Sequence, residues 1–141
     1  HSLDTSMDLN IDLALKQSNE NPVYYIEYAN ARICSILKKY HKKPIPLEQY
    51  VNLNSKETYT ILNKLIEFED LVISSAKKES PHIIANYIYD LATLFHSYYA
   101  KDKIITEDEK STEEKINLLL AIQIVIQNAL DLLGIIPREE M

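Results

Sequence analysis

The chain has 141 residues and a mass of 16.3 kDa, enough for one domain with a real core and too little for two ordinary ones. One glycine and five prolines leave little material for tight hairpins, which favours long helices over a β sandwich or barrel. The net charge of −6 excludes bulk basicity as a source of nucleic-acid affinity, so any such affinity must come from a local cluster.

The elements follow from local punctuation. A first helix is expected over residues 7–19, with Leu9 and Leu13 turned inward. Asn21-Pro22 supplies an N-cap followed by proline at the first helical position, opening a helix that runs to Tyr40. His41-Lys42-Lys43-Pro44-Ile45-Pro46 breaks it, because each proline disfavours helix in the residue before it. A short helical turn is expected over 47–51. Asn54 with Glu57 reads as a capping box for a helix reaching Lys78. Ser80-Pro81 repeats the cap-plus-proline signal and opens a helix through Tyr99. In it Ile84, Tyr87, Ile88, Leu91, Phe95 and Tyr98 form one apolar stripe. The polar run 101–114 reads as a flexible loop, and Ser111 with Glu114 as the capping box of the last helix. That helix is apolar nearly all round, which predicts the buried centre, and it stops at Gly134, the only glycine, where a left-handed residue belongs. Residues 116–136 are long enough to span a bilayer, but Asn117, Gln123, Gln127, Asn128 and Asp131 favour a buried helix instead. The fold class is all-α, a bundle of about five main helices in a single domain over 1–141.

One helix carries more than a core face. At about 100° per residue, Ile26, Ala29, Ile33, Leu37 and Tyr40 gather on one arc. Tyr25, Tyr28, Arg32, Ser35 and Lys39 gather on another, with no acid among them. Acids are absent from the whole stretch 28–47, which holds Arg32, Lys38, Lys39, Lys42 and Lys43; removing those five charges from the net −6 leaves −11 on the rest. Aromatic faces beside a basic cluster suit unpaired bases, which stack on rings while cations meet phosphates. The same pattern also fits tyrosines packed beneath a neighbouring helix and lysines at a solvated end. The wheel alone does not decide.

The letters add a resemblance. Asn21-Pro22-Val23-Tyr24-Tyr25-Ile26-Glu27-Tyr28-Ala29-Asn30-Ala31-Arg32 closely resembles the Asn-Pro-Val-Tyr-Tyr-Val-Gln-Tyr-Ala-His-Ala-Arg segment of arginyl-tRNA synthetases. Asp12-Leu13-Ala14, Pro81-His82, Tyr87-Ile88-Tyr89-Asp90-Leu91-Ala92, Phe95-His96-Ser97-Tyr98-Tyr99, Leu130-Asp131-Leu132-Leu133-Gly134 and Met141 are similar to family segments in the same order. The resemblance implies the all-helical, C-terminal, DALR-type anticodon-binding domain of a class I synthetase, beginning just after the catalytic domain. Neither the His-Ile-Gly-His nor the Lys-Met-Ser-Lys signature is present, so the resemblance places catalysis elsewhere in a parent arginine–tRNA ligase, which uses ATP and magnesium. No cofactor is expected in this domain.

The resemblance further implies anticodon contacts from Tyr25, Tyr28, Arg32 and Met141, with Lys38, Lys39, Lys42 and Lys43 as candidate phosphate contacts. Met141 would contribute its carboxylate or side chain, so a C-terminal tag should disturb binding. The implied partners are arginine tRNA and the synthetase's own catalytic domain, in a cytoplasmic monomer with no membrane attachment. Glu27 stands where the family has a neutral residue, Asn30 where it has histidine, and Arg138 lies off the penultimate position. A stand-alone helical protein-interaction module is the rival class.

The remaining candidates read as structural. Cys34, the only cysteine, excludes an internal disulfide, fits a reducing compartment and reads as a small hydrophobe. Residues 1–10 lack the basic start and apolar run of a secretory signal. His82 and His96 read as capping or packing residues rather than metal ligands, and Asp90 and Asp131 as buried hydrogen-bonding groups.

Overall fold

A computed structural model describes residues 21–140, so the helix expected over 7–19 and Met141 lie outside the described residues. The described residues form five helices and no strand: α1 (Pro22–Tyr40), α2 (Lys56–Ile66), α3 (Phe68–Lys78), α4 (His82–Lys101) and α5 (Glu109–Leu132). The all-α expectation holds.

Helix α1 starts as its sequence dictates. The Asn21 side-chain oxygen accepts from the backbone N–H groups of Val23 (3.0 Å) and Tyr24 (3.3 Å), and Pro22 occupies the first turn, where no donor is needed. At the other end, α5 closes through Gly134 at φ +75°. The Ile135 N–H donates to the Leu130 carbonyl (2.9 Å) and the Gly134 N–H to that of Asp131 (3.0 Å), the paired bonds of a Schellman stop.

The other boundaries moved. Ser55 rather than Asn54 caps α2, its hydroxyl accepting from the Thr58 N–H. The single helix expected up to Lys78 is broken at Glu67, whose N–H bonds to Lys64 three residues back. The hydroxyl of buried Tyr87 also donates to the Lys64 carbonyl, so a side chain from α4 competes for the ladder where it breaks. Ser80 does not cap α4; its hydroxyl donates to the Lys78 carbonyl. Asp108, three residues ahead of Ser111, caps α5 and accepts from the Ser111 N–H. That frees Glu114 for another use. Fully buried, it accepts from the Asn52 backbone N–H (2.9 Å) and from the Asn52 side chain, tying the 41–55 segment to the bundle. No helical turn forms over 47–51; the segment is held by Asn52 and by Asn117 donating to the Ile45 carbonyl (2.9 Å).

The expected flexible loop shrinks to 102–108 and is packed. Ile104 is buried, the Thr106 N–H donates to the Thr112 hydroxyl (2.9 Å), and Lys115 donates to the Asp102 carboxylate (3.2 Å) and the Lys103 carbonyl (2.8 Å).

The centre of the bundle is α4 rather than α5: it touches all four other helices and buries its whole expected stripe, from Ile84 to Tyr98. Helix α5 buries Ile116, Leu119, Ile122, Ile126 and Leu130 against α1 and α4, yet leaves Ile124 and Leu132 exposed. By length and composition α5 could cross a bilayer, and its buried face is spent on the bundle core instead. Asp90 and Asp131 are both exposed, contrary to expectation, and Asp90 pairs with Lys64 of α2 (3.7 Å).

Candidate nucleic-acid interface

The second arc of α1 is a surface because its neighbour covers only half of it. Ile26, Ala29 and Ile33 are buried in the core, with Leu37 and Tyr40 partly buried beside them. Tyr28, Ala31, Arg32, Ser35 and Lys38 line one side of a pocket of about 610 Å³. Tyr99 of α4 and Glu139 and Glu140 of the segment after α5 supply its other sides.

Arg32 is the fixed point of this pocket. Its guanidinium carbon lies 4.6 Å from the Tyr28 ring centroid and 4.3 Å from that of Tyr99, so the cation sits against two aromatic faces. One terminal nitrogen donates to the Tyr28 hydroxyl (2.9 Å) and the other to His96 Nδ1 (3.1 Å). A guanidinium can only donate, so Nδ1 accepts, and His96 carries its proton on Nε2, which donates to the Tyr25 carbonyl (3.3 Å). Burial holds the His96 pKa below the ordinary imidazole value, Arg32 lowers it further, and the Tyr25 carbonyl opposes both. Neutral His96 is the form this site is built around.

Tyr25 belongs to the same cluster but not to the pocket wall. Half-buried, it packs on His96 (4.6 Å between centroids) and Tyr89 (5.4 Å). Tyr28 in turn lies 5.3 Å from His96 and stacks on Tyr24 at 6.3 Å.

The lysines divide. Lys38 lines the pocket and pairs with Glu140 (3.2 Å). Lys39 is exposed and lines the adjoining depression on the far side of Tyr99, with Ile104 and Ile105. Lys42 pairs with Glu109 at the start of α5 (2.8 Å), and Lys43 is exposed beyond it; neither lines the pocket.

With that geometry in place, comparison with known proteins decides the family. The DALR anticodon binding domain profile matches residues 26–141. This chain belongs to the DALR anticodon-binding domain family. The arginine–tRNA ligase of Bacillus licheniformis is 42% identical over 144 residues, covering 99% of this chain and 26% of that protein. That of Desulforamulus reducens is 40% identical over 145 residues, with the same shares covered. Among solved structures, the Thermus thermophilus arginyl-tRNA synthetase superposes with a TM-score of 0.76 at 31% identity, over 95% of this chain and 23% of that one. The chain thus spans about a quarter of the length of the relatives it matches.

Two residues of this DALR domain's site escaped the sequence reading, Tyr99 in the pocket wall and His96 behind Arg32. They lie three apart on the flank of the α4 stripe, one step round from Phe95 and Tyr98, and that offset was the available signal. The acids were missed as well. Beyond Gly134 the chain turns back along α1. Arg138 Nε lies 3.4 Å from Glu27, its carbonyl accepts from the Asn30 amide (2.8 Å), and Gln127 completes Asn30 at 3.4 Å. Glu27 and Asn30 are therefore buried partners of the C-terminal segment rather than flanking residues. Burial raises the Glu27 pKa, and the Arg138 charge opposes the rise. Half-buried Cys34 lies in the same row; Gln123 donates to its sulfur (3.1 Å), and burial first, then the Glu139 charge, raise its pKa.

Proposed function

We propose that this DALR domain binds the anticodon loop of arginine tRNA and holds that tRNA for ATP-dependent arginylation by the catalytic domain of a class I arginine–tRNA ligase. The observation that carries the reading is Arg32, held between the rings of Tyr28 and Tyr99 in an open pocket. Unpaired bases stack on exposed rings for about 1–3 kcal/mol each. Arg32 is already ordered by two rings and two hydrogen bonds, so it gives up little further conformational freedom when an RNA arrives. Two of its five N–H donors are spent on Tyr28 and His96; the others suit a phosphate or a base edge.

Tyr25 supports Tyr28 through His96. Lys38, Lys39, Lys42 and Lys43 form a basic border along which the RNA backbone is steered, Lys38 and Lys42 exchanging their exposed carboxylate partners for phosphates, with Met141 as a further contact. ATP and magnesium belong to the catalytic domain, and this domain contributes position. The parent enzyme works in the cytoplasm as a monomer, with arginine tRNA and its own catalytic domain as partners.

The test is binding of the 141-residue chain to an arginine anticodon stem-loop with the middle anticodon base varied, alongside Tyr25→Ala and Tyr28→Ala. The reading expects a preference among bases and weaker binding in both variants. Binding indifferent to base and to both substitutions would overturn it in favour of a helical protein-interaction module.

A further inference from the structure

Three positions at which the sequence departs from the synthetase pattern, Glu27, Asn30 and Arg138, meet in a single contact. Glu27 and Asn30 sit one turn apart on α1 and are buried, while Arg138 approaches from more than a hundred residues away. A buried carboxylate and a buried amide are costly unless satisfied, and here the Arg138 guanidinium meets the first and its carbonyl the second. Satisfying both at once fixes the segment's register on the helix. A slip of one residue would give Asn30 a different carbonyl and carry the guanidinium away from Glu27.

That register has a consequence at the pocket. The segment runs along α1 in the direction of the helix, so Arg138 sits beside Glu27 and Asn30, and Glu140 reaches Lys38. Glu139 and Glu140 thereby become a wall of the pocket whose other walls are Tyr28, Arg32 and Tyr99. Carboxylates beside an RNA site repel phosphates generally, and they accept hydrogen bonds from the exocyclic amino groups of bases presented edge-on. A wall of that kind penalises any RNA that cannot offer such an edge.

We propose that Glu27 and Asn30 are positioning residues that dock the 135–140 segment on α1, and that the docked acids make the pocket select among RNA loops. The proposal rests on the RNA-binding reading given above and adds selectivity to it. The segment's docking and the pocket's affinity are separate quantities, which allows them to be tested apart.

The experiment uses the whole 141-residue chain. Trypsin cleavage after Arg138, followed by mass spectrometry as release of Glu139-Glu140-Met141, reads docking without any RNA. Glu27→Gln keeps the shape and loses the ion pair of a buried carboxylate with a half-exposed partner, so release should quicken about tenfold. Discrimination is read as the ratio of affinities for the arginine loop and for a loop of unrelated anticodon. It should fall in Glu27→Gln and Arg138→Gln by similar factors, and the double variant should fall no further than either alone. The pair Glu139→Gln and Glu140→Gln, with docking intact, should strengthen binding of the unrelated loop.

Unchanged release in Glu27→Gln overturns the clamp. Faster release with unchanged discrimination overturns the selecting wall, as do additive losses in the double variant. Tyr28→Ala and Arg32→Ala run alongside: if they weaken binding while the clamp variants change nothing, the clamp fails and the RNA reading survives. If they too change nothing, the RNA reading fails as well.

Discussion

Arg32→Lys is the sharpest perturbation of the pocket, because it keeps the charge and removes the geometry. The arginine's guanidinium carbon lies 4.6 and 4.3 Å from two ring centroids, and the group donates in two directions at once. A lysine ammonium is a hydrated point charge that cannot reproduce the planar fork. Each cation–π contact at a half-exposed site is worth about 0.5–1 kcal/mol, and a forked contact to a base or phosphate about 1–3 kcal/mol. Some of the ring contact survives in lysine, so the expected loss of RNA affinity is about 1.5–3 kcal/mol, or roughly 10- to 150-fold. Fluorescence anisotropy of a labelled arginine anticodon stem-loop, repeated over a range of salt, measures it. The salt dependence identifies the partner. If Arg32 meets a phosphate, Arg32→Ala flattens the log–log slope by about 0.7 while Arg32→Lys leaves it alone. If Arg32 meets a base edge, both variants keep the slope and lose the base preference. Binding by Arg32→Lys within about twofold of the parent chain would refute the claim that ring-held geometry, rather than charge, makes the site.

The remaining predictions concern the scaffold. Gly134→Ala meets no steric obstacle, since nothing lies within 4 Å of an added Cβ, yet it must hold φ +75°. Denaturant melts should therefore show a loss of about 1–2 kcal/mol, the ordinary cost of a left-handed alanine. His96 has its folded-state pKa depressed, first by burial and then by Arg32. Below the unfolded value near 6.5 the unfolded chain binds the proton more readily, so stability is full above that pH and falls as pH drops through it toward the folded pKa. The titratable and charged groups in contact with His96 are Tyr25, Tyr28 and Arg32, all on α1, so His96→Gln should flatten this part of the stability–pH curve in melts run on both sides of pH 6.5.

The features legible in the sequence are those decided within one turn of chain. Asn21-Pro22 and Gly134 worked because a cap and a left-handed stop involve only neighbouring backbone groups. The apolar stripe of α4 was legible because burial follows the helical period. Some errors were a choice between neighbouring caps, Ser55 for Asn54 and Asp108 for Ser111; others came from a distant side chain competing with the local signal. Tyr87 ends α2 from 23 residues away, and Asn52 draws Glu114 out of the capping box it was expected to complete with Ser111. Site residues divide the same way. Tyr28 and Arg32 are neighbours on one helix face and were found together. Tyr99 and the two acids reach the pocket, and His96 reaches Arg32, through tertiary packing, and no spacing within α1 could announce them.

Net charge then acquires a different meaning. An average of −6 describes no part of this molecule: the acid-free stretch of α1 and its exit carries five positive groups against a remainder of −11. Such segregation keeps the Coulombic attraction for RNA short-ranged, because over more than about 10 Å at ordinary salt the two regions screen and offset one another. The docked acids carry the same logic to the pocket itself, where Glu140 already occupies Lys38. On the proposed RNA-binding function, non-specific affinity, which comes almost wholly from phosphate contacts, would thereby be held low. What would still favour binding is the proposed stacking on Tyr28 and Tyr99 and the fork of Arg32, and such contacts depend on how a loop presents its bases. An acidic domain is on this account well suited to reading a few unpaired bases, because little else about an RNA attracts it.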